Sequence, residues 1–420
     1  MSSVRRVVIV AEHASVRFGG EASLPYHYFR VLRARDVDAY LLTHERTRAE
    51  LHELFPSELD RLLFVPDMTL QKLFYRLSLL LPRRISEATF GLANQLLTQR
   101  AQRGMVRKLI VPGTIVHQPI PVSPRFPSLI YDVGAPVIIG PMNGGMEYPA
   151  AFRQAESAVV SALVSFGRLF SGIGNRLLPG KRKAALLLVA NQRTAEALPV
   201  QPRGRVVELV ENGVDLARWP AVATIAGSQT PRFLFMGRLV DWKALDIALE
   251  ALAQLPEATL DVVGDGAMRS AWEELAATLG LVDRVRFLGW RSQQDCAALL
   301  AQSTALVLPS IYECGGAVVL EAMSVGKPVI ATAWGGPADY LDATCGILVP
   351  PTSRESMIAA FAAGFRSLAD SPERCAAMGQ AGRHRIEQHF DWEKKVDRVL
   401  ELYAEALQLE LQVTSANGAP

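Results

Sequence analysis

Cysteine is scarce: Cys296, Cys314, Cys345 and Cys375 are the four in 420 residues, with no C-x-x-C spacing and no histidine cluster beside them. A disulfide framework and a zinc site are therefore not expected. Long apolar runs are also missing. No charge-free stretch reaches the roughly 18 residues of a spanning helix. The apolar run at 7–10 is shorter than the secretory core of about 7 residues. A reducing, cytoplasmic location is the expectation. Gly and Pro, 31 and 25 residues, stay well below the level of a low-complexity chain.

Half of the residues are apolar, and 420 exceed what one core usually serves, so two domains are expected. The net charge of +2 hides an asymmetry. Residues 1–211 hold 27 Lys/Arg against 17 Asp/Glu, and the rest hold 17 against 25. The two halves therefore face different partners.

Short β-branched or aliphatic runs at 7–11, 39–43, 109–111, 115–117, 136–139 and 186–190 read as buried parallel strands, with a helix over 21–35. The same grammar restarts after Asn212-Gly213-Val214-Asp215 and a linker at 221–230. Strands are expected at 232–236, 260–263, 285–288, 305–308, 328–331 and 347–349, with helices over 245–254, 268–279, 295–301, 316–325 and 353–368. A terminal helix runs from Trp392 to about 409, capped by Asp391. Alternating strands and helices predict α/β architecture with doubly wound parallel sheets. The expected domains are 1–211, joined by the helix 392–410, and 212–391.

The richest stretch is 309–323, where Glu313 and Glu321 stand eight positions apart across Gly315-Gly316. A strand ends, a loop turns and a helix begins, so unpaired N–H groups and the positive end of the helix dipole offer a phosphate site. Glu321, one turn further on, leans back toward that terminus, within reach of a vicinal diol beside the phosphate. A second cluster, 233–243, sets Arg238 and Lys243 just after a strand, where open α/β sheets bind ligands. Two cations there suit a pyrophosphate leaving group.

With these clusters the chain resembles the retaining glycosyltransferases of the GT-B type, family 4 (group 1). Six pieces fall in family order: Glu211-Asn212-Gly213-Val214-Asp215, Gly237-Arg238-Leu239 to Lys243, Val263-Gly264-Asp265-Gly266, the run 284–289, the E-x7-E pair, and Gly326-Lys327-Pro328-Val329-Ile330. The resemblance implies two Rossmann-like domains facing a central cleft, with a C-terminal helix returning to the first. It implies that Arg238 and Lys243 bind the donor diphosphate, Glu321 the ribose and Glu313 the transferred sugar. Backbone around Gly315, Gly316, Ala317 and Val318 would cradle the distal phosphate, with Gly19 and Gly20 approaching it. Val285 and Arg286, with the turn Gly264 to Gly266, would line the base pocket, and His117 would contact the donor sugar. Two positions depart from the family pattern: the compact run Cys314 to Ala317, and Ala244 where glycine is usual.

The implied reaction moves a hexosyl unit from a nucleotide-diphosphate sugar to an acceptor hydroxyl with retention. It needs no metal or cofactor, and no Asp-x-Asp pair lies beside the phosphate elements. Bacterial cell-surface or exopolysaccharide synthesis is the expected setting. A nucleotide-sugar epimerase or glycogen-synthase-like enzyme of the same fold is the alternative. A dinucleotide oxidoreductase is disfavoured because Gly172-Ile173-Gly174 and Gly264-Asp265-Gly266 lack the third glycine. Residues 72–108 hold eight cations, Lys72, Arg76, Arg83, Arg84, Arg100, Arg103, Arg107 and Lys108, against Glu87, among leucines. They suggest a face for an anionic membrane and a lipid-linked acceptor, and 165–183, with Arg168, Arg176, Lys181, Arg182 and Lys183, is a second candidate. No nucleic-acid motif is present.

Overall fold

Thirteen short strands form two all-parallel sheets in the computed structural model, which describes residues 4–17, 20–78, 90–153, 172–221 and 230–417. The first sheet contains β1 (Arg6–Val10), β2 (Ala39–His44), β3 (Leu62–Val65), β4 (Thr114–Gln118), β5 (Val137–Met142), β6 (Leu186–Val189) and β7 (Arg205–Glu208) in the order β3-β2-β1-β4-β5-β6-β7. The second contains β8 (Arg232–Met236), β9 (Thr259–Val263), β10 (Val285–Gly289), β11 (Ala305–Leu308), β12 (Val329–Thr332) and β13 (Gly346–Val349) in the order β10-β9-β8-β11-β12-β13. Both are Rossmann-like: the strand order reverses once, between β1 and β4 and between β8 and β11. Central strands are covered on both faces, which is why they read as unbroken apolar runs; every residue of β11 is fully buried.

Two strands escaped the sequence pattern. β3 is only Leu-Leu-Phe-Val, too short for periodicity to separate strand from helix, and β7 is a largely exposed edge with polar ends. The expected strand at 109–111 is instead the end of helix Leu92–Leu109, whose chain turns extended at Ile110. Leu109 and Ile110 are apolar because they pack on the first core, together with Val106 and Met105. Helix Pro372–His389 was also not foreseen; its face is polar and it carries few large apolar residues. The expected linker lies mostly outside the described residues.

The chain separates into two units, one of Met1–Gly145, Glu156–Glu211 and Lys395–Pro420, the other of Met146–Ala155 and Asn212–Lys394. The final helix, Trp392–Asn417, begins in the second unit and continues in the first. In the first unit it docks through Tyr403, whose hydroxyl donates to His117 Nδ1 at 2.7 Å. His117 Nε2 donates to the Gly140 carbonyl at 2.7 Å. The ring is fully buried between Tyr28 and Tyr403, and burial lowers its pKa to about 4. Nearby, Asn143 Nδ2 donates to Glu211 Oε1 at 2.7 Å and Lys395 Nζ donates to the Glu211 carbonyl at 2.9 Å. Burial brings the Lys395 amine down to about 7, against the opposing field of Glu211.

A histidine held neutral in the fold but free to protonate when unfolded gives stability that is present above its unfolded pKa of about 6.5 and drains away as pH falls toward 4. We expect wild-type protein to lose about 3 kcal/mol more than His117→Gln between pH 7 and pH 4. Urea unfolding followed by circular dichroism checks this, and equal losses in the two proteins would refute it.

Candidate functional site

The carboxyl ends of β8 and β11 lie side by side, because Phe233 and Leu234 pair with Ala305 and Leu306. The strand order reverses at this junction, so the helices that follow the two strands go to opposite faces and leave a crevice. From β8 the chain runs through Gly237 and Arg238 into a single 3-10 turn, Asp241–Lys243. From β11 it runs through Glu313 to helix Ala317–Ser324, whose N-cap is Gly316 in a left-handed conformation. The two loops are tied together where Ile311 N donates to the Trp242 carbonyl at 3.0 Å. Lys243 Nζ is hydrogen-bonded to Glu313 Oε2, with both side chains largely buried.

Gly264 and Gly266 brace the Arg238 loop from beneath. Leu239 N donates to the Asp265 carbonyl at 2.9 Å, and a β-carbon on Gly264 would stand 1.9 Å from the Gly237 carbonyl oxygen. Only glycine permits backbones this close. Ala244, by contrast, takes a left-handed conformation with φ of 48° despite its β-carbon, which is the physical reason glycine is usual there.

Charge in the crevice is unevenly satisfied. Arg238 is exposed, its guanidinium 6.0 Å from the Trp242 ring centroid, and among the described residues it meets no carboxylate. The first-turn amides of Ala317 and Val318 have no carbonyl a turn earlier to bind. Glu321 follows one turn on, and among the described residues its carboxylate makes no hydrogen bond or ion pair. Burial pushes its pKa up to about 7. Its negative field reaches Cys296 on the neighbouring helix Gln293–Gln302, whose thiol is raised to about 11 mainly by burial. The arrangement is a cation and open amides for an anion, with an acidic acceptor beside them for hydroxyl donors.

Arg238, Lys243, Glu313, Gly315, Gly316, Ala317, Val318 and Glu321 thus share one rim of the second sheet, with Gly264 and Gly266 beneath it. Two expectations need correction. Val285 and Arg286 open β10 at its amino end, paired with Leu260 and Asp261, whereas Gly289 pairs with Val263 at the ligand end. Arg286 is occupied in a two-pronged ion pair with Asp261, both contacts at 2.7 Å. The β10 residues on the ligand rim are Gly289, whose carbonyl accepts from Gly264 N, and the exposed Trp290 that follows. His117 has both ring nitrogens committed inside the first unit and has none left for a sugar. Gly20 begins helix Gly20–Ala34 of the first unit, and Gly19 lies outside the described residues. Sequence reasoning also passed over Trp242, Trp290 and Trp334; an exposed tryptophan directly after a strand was the available signal at Trp290.

The basic stretches are also redistributed. Arg103 stacks on Tyr131 and Arg107 donates to the Asp132 carbonyl, so these cations serve the first unit itself. Lys181 is buried and donates to the Pro124 carbonyl, and Lys183 pairs with Asp132. Arg83, Arg84, Glu87 and Arg168 lie outside the described residues. Lys72 and Arg76 remain exposed on helix Thr69–Ser78, alongside the exposed Leu70, Leu73 and Leu77. No helix among the described residues is long and apolar enough to cross a membrane.

Comparison with known proteins adds a likeness over part of the chain to this geometry. Residues 223–385 match the family model described as glycosyl transferases group 1. A glycogen synthase of Mycobacterium tuberculosis is 30% identical over 211 residues, covering 49% of this chain and 50% of that protein. A D-inositol 3-phosphate glycosyltransferase of Salinispora tropica is 36% identical over 228 residues, covering 48% of this chain and 46% of that one. The chain thus spans about half the length of the curated relatives it matches. Among solved structures, Anabaena HepE in complex with UDP aligns over 95% of this chain and 100% of its own, with a TM-score of 0.64 at 16% identity. The chain therefore has the GT-B fold of two Rossmann-like units, and residues 223–385 within it are similar to the family model of the group 1 glycosyl transferases.

Proposed function

We propose that the chain is a retaining, metal-independent glycosyltransferase of family 4 type that moves a hexosyl unit from a nucleoside-diphosphate sugar to an acceptor hydroxyl. One observation carries the reading: a guanidinium and a carboxylate that have no ionic partner among the described residues gather with a lysine and open helix amides where β8 and β11 diverge. Arg238, Lys243 and the amides of Ala317 and Val318 would hold the diphosphate. Lysine has three donors, so Lys243 binds phosphate oxygens while keeping its bond to Glu313. The Glu321 carboxylate accepts from the ribose hydroxyls, and the base lies toward Gly264, Gly289 and Trp290. Glu313 accepts from the sugar hydroxyls. The acceptor hydroxyl attacks the anomeric carbon from the face the diphosphate leaves, and a departing phosphate oxygen takes the proton. Arg238, Lys243 and the helix terminus stabilise the growing negative charge.

A nucleotide donor is supported by the UDP named in the HepE complex, and a hydroxyl-bearing acceptor by the D-inositol 3-phosphate named in one relative. For a cell-surface glycan the acceptor would be lipid-linked. Helix Thr69–Ser78, with Leu70, Leu73 and Leu77 exposed next to Lys72 and Arg76, is suited to rest on an anionic bilayer and meet it.

If each cation contributes about 3 kcal/mol to the transition state, Arg238→Ala and Lys243→Ala should each slow turnover on the order of 100-fold. Transfer rates near wild type in either variant remove that residue from the machinery, and the same holds for Glu313→Ala. The Glu321 carboxyl, raised to about 7, accepts from two ribose hydroxyls best when ionised, because only then are both oxygens acceptors alone. Affinity for the nucleoside diphosphate should therefore weaken as pH falls below 7, by at most about tenfold per unit, and Glu321→Gln should abolish that component. Titration calorimetry from pH 5.5 to 8 measures it; identical profiles in the two proteins count against the ribose assignment. In flotation assays the protein should rise with phosphatidylglycerol vesicles but not with phosphatidylcholine vesicles, and Leu73→Glu should reduce the effect. Equal or absent binding to both vesicle types ends the membrane reading.

A further inference from the structure

Residues 146–153 precede β6 in the chain, yet Met146–Ala155 groups with the second unit. The reason is a row of contacts from three consecutive residues. Met146 packs on Gly335 so closely that a β-carbon there would lie 2.9 Å from its Sδ and Cε. The Glu147 carbonyl accepts from Trp334 Nε1 at 2.8 Å. The Tyr148 ring lies against the Tyr312 ring, with centroids 5.0 Å apart. All three partners belong to the two loops that frame Glu313.

Those loops are themselves locked together. Gly336 N donates to the Glu313 carbonyl at 2.8 Å, and a β-carbon on Gly335 would stand 2.1 Å from the same oxygen. Gly335 has a φ of 65°, open to glycine at little cost. Glu313 is therefore fixed at two ends: Lys243 holds its carboxylate, and the loop of Trp334 to Gly336 holds its backbone. Met146 to Tyr148 close over the second anchor from outside and add a ring contact to Tyr312, the residue before Glu313.

We infer that Met146, Glu147 and Tyr148 form a positioning strap for the sugar half of the donor site, setting how the Glu313 carboxylate is presented and hence which hexose is held. The inference rests on the donor reading above, with Glu313 at the sugar. The strap touches neither Arg238 nor the first turn of helix Ala317–Ser324 in any contact described, so Arg238, the helix amides and Glu321 hold the diphosphate and ribose without it. Loosening it should cost binding of the hexose and leave binding of the nucleotide intact.

The test compares two ligands on each protein by titration calorimetry. UDP, GDP and ADP are screened on wild type, and the tightest binder is paired with its best-bound ester among glucose, galactose, mannose and N-acetylglucosamine. Met146→Ala and Tyr148→Ala should each weaken the sugar nucleotide about tenfold while changing the free nucleoside diphosphate less than about twofold. Tyr148→Phe, which keeps the ring contact, should behave as wild type. Equal losses for both ligands would mean that the segment only supports the fold, and unchanged affinities would mean that it does nothing at the site; either overturns the inference while the donor reading stands. Failure of wild type to bind any of the three nucleoside diphosphates overturns the donor reading and the inference with it. If one alanine variant does not fold, as judged by circular dichroism, the other carries the comparison.

Discussion

The site depends on the lateral pairing of β8 with β11. Pairing of Phe233 and Leu234 with Ala305 and Leu306 sets the two parallel strands side by side, and because the helices that follow leave on opposite faces, the rim opens at their carboxyl ends, beyond Met236 and Leu308. Everything that carries charge in the candidate site hangs from those two ends. Arg238 and Lys243 come from one, Glu313 and Glu321 from the other, and the Lys243 to Glu313 contact joins them. The full burial of β11 fixes the strand, and thereby the origin of the loop that bears Glu313.

Two buried ionisable groups show how a fold separates structure from chemistry. His117 and Glu321 are both shifted toward their neutral forms by burial. His117 has a partner on each nitrogen, so its polarity is spent on docking the terminal helix, and removing it is a question of stability. Glu321 has no such partner among the described residues. A carboxylate left unsatisfied in a poorly hydrated place costs free energy unless a ligand supplies donors. The same physical force, desolvation, thus acts on one residue spent on the scaffold and on another that the proposed function gives to hydroxyl groups.

Close backbone approach is the second recurring device. The Arg238 loop rests on Gly264, and the Glu313 loop rests on Gly335 and Gly336, each at separations that a side chain would forbid. Gly264, which the resemblance set at the base pocket, thus acts as a spacer between loops, and Gly335 and Gly336 do the same. They set the height of the cation on one side and of the carboxylate on the other. The contacts from Met146 to Tyr148 add a further layer over Glu313, drawn from a distant part of the chain.

Much of this was legible in the sequence because it is written locally. Apolar runs long enough to be buried on both faces announced the strands, while four-residue β3 and exposed β7 carried too little pattern to be seen. The E-x7-E spacing and the Gly-Arg to Lys block placed charge after strands with no knowledge of the fold, since strand-loop-helix geometry is a short-range property. Register and burial are not. Whether Arg286 stands at the ligand end of β10 or at its opposite end depends on pairing with β9, and the answer was the opposite end. Whether His117 faces a ligand or Tyr403 depends on a helix 286 residues away. That Met146 to Tyr148 pack beside Glu313 depends on contacts across more than 160 residues of chain. Local periodicity and motif spacing determined which residues carry the charge; only long-range packing, which decides which groups meet and which lose water, determined which of them remain available to a ligand.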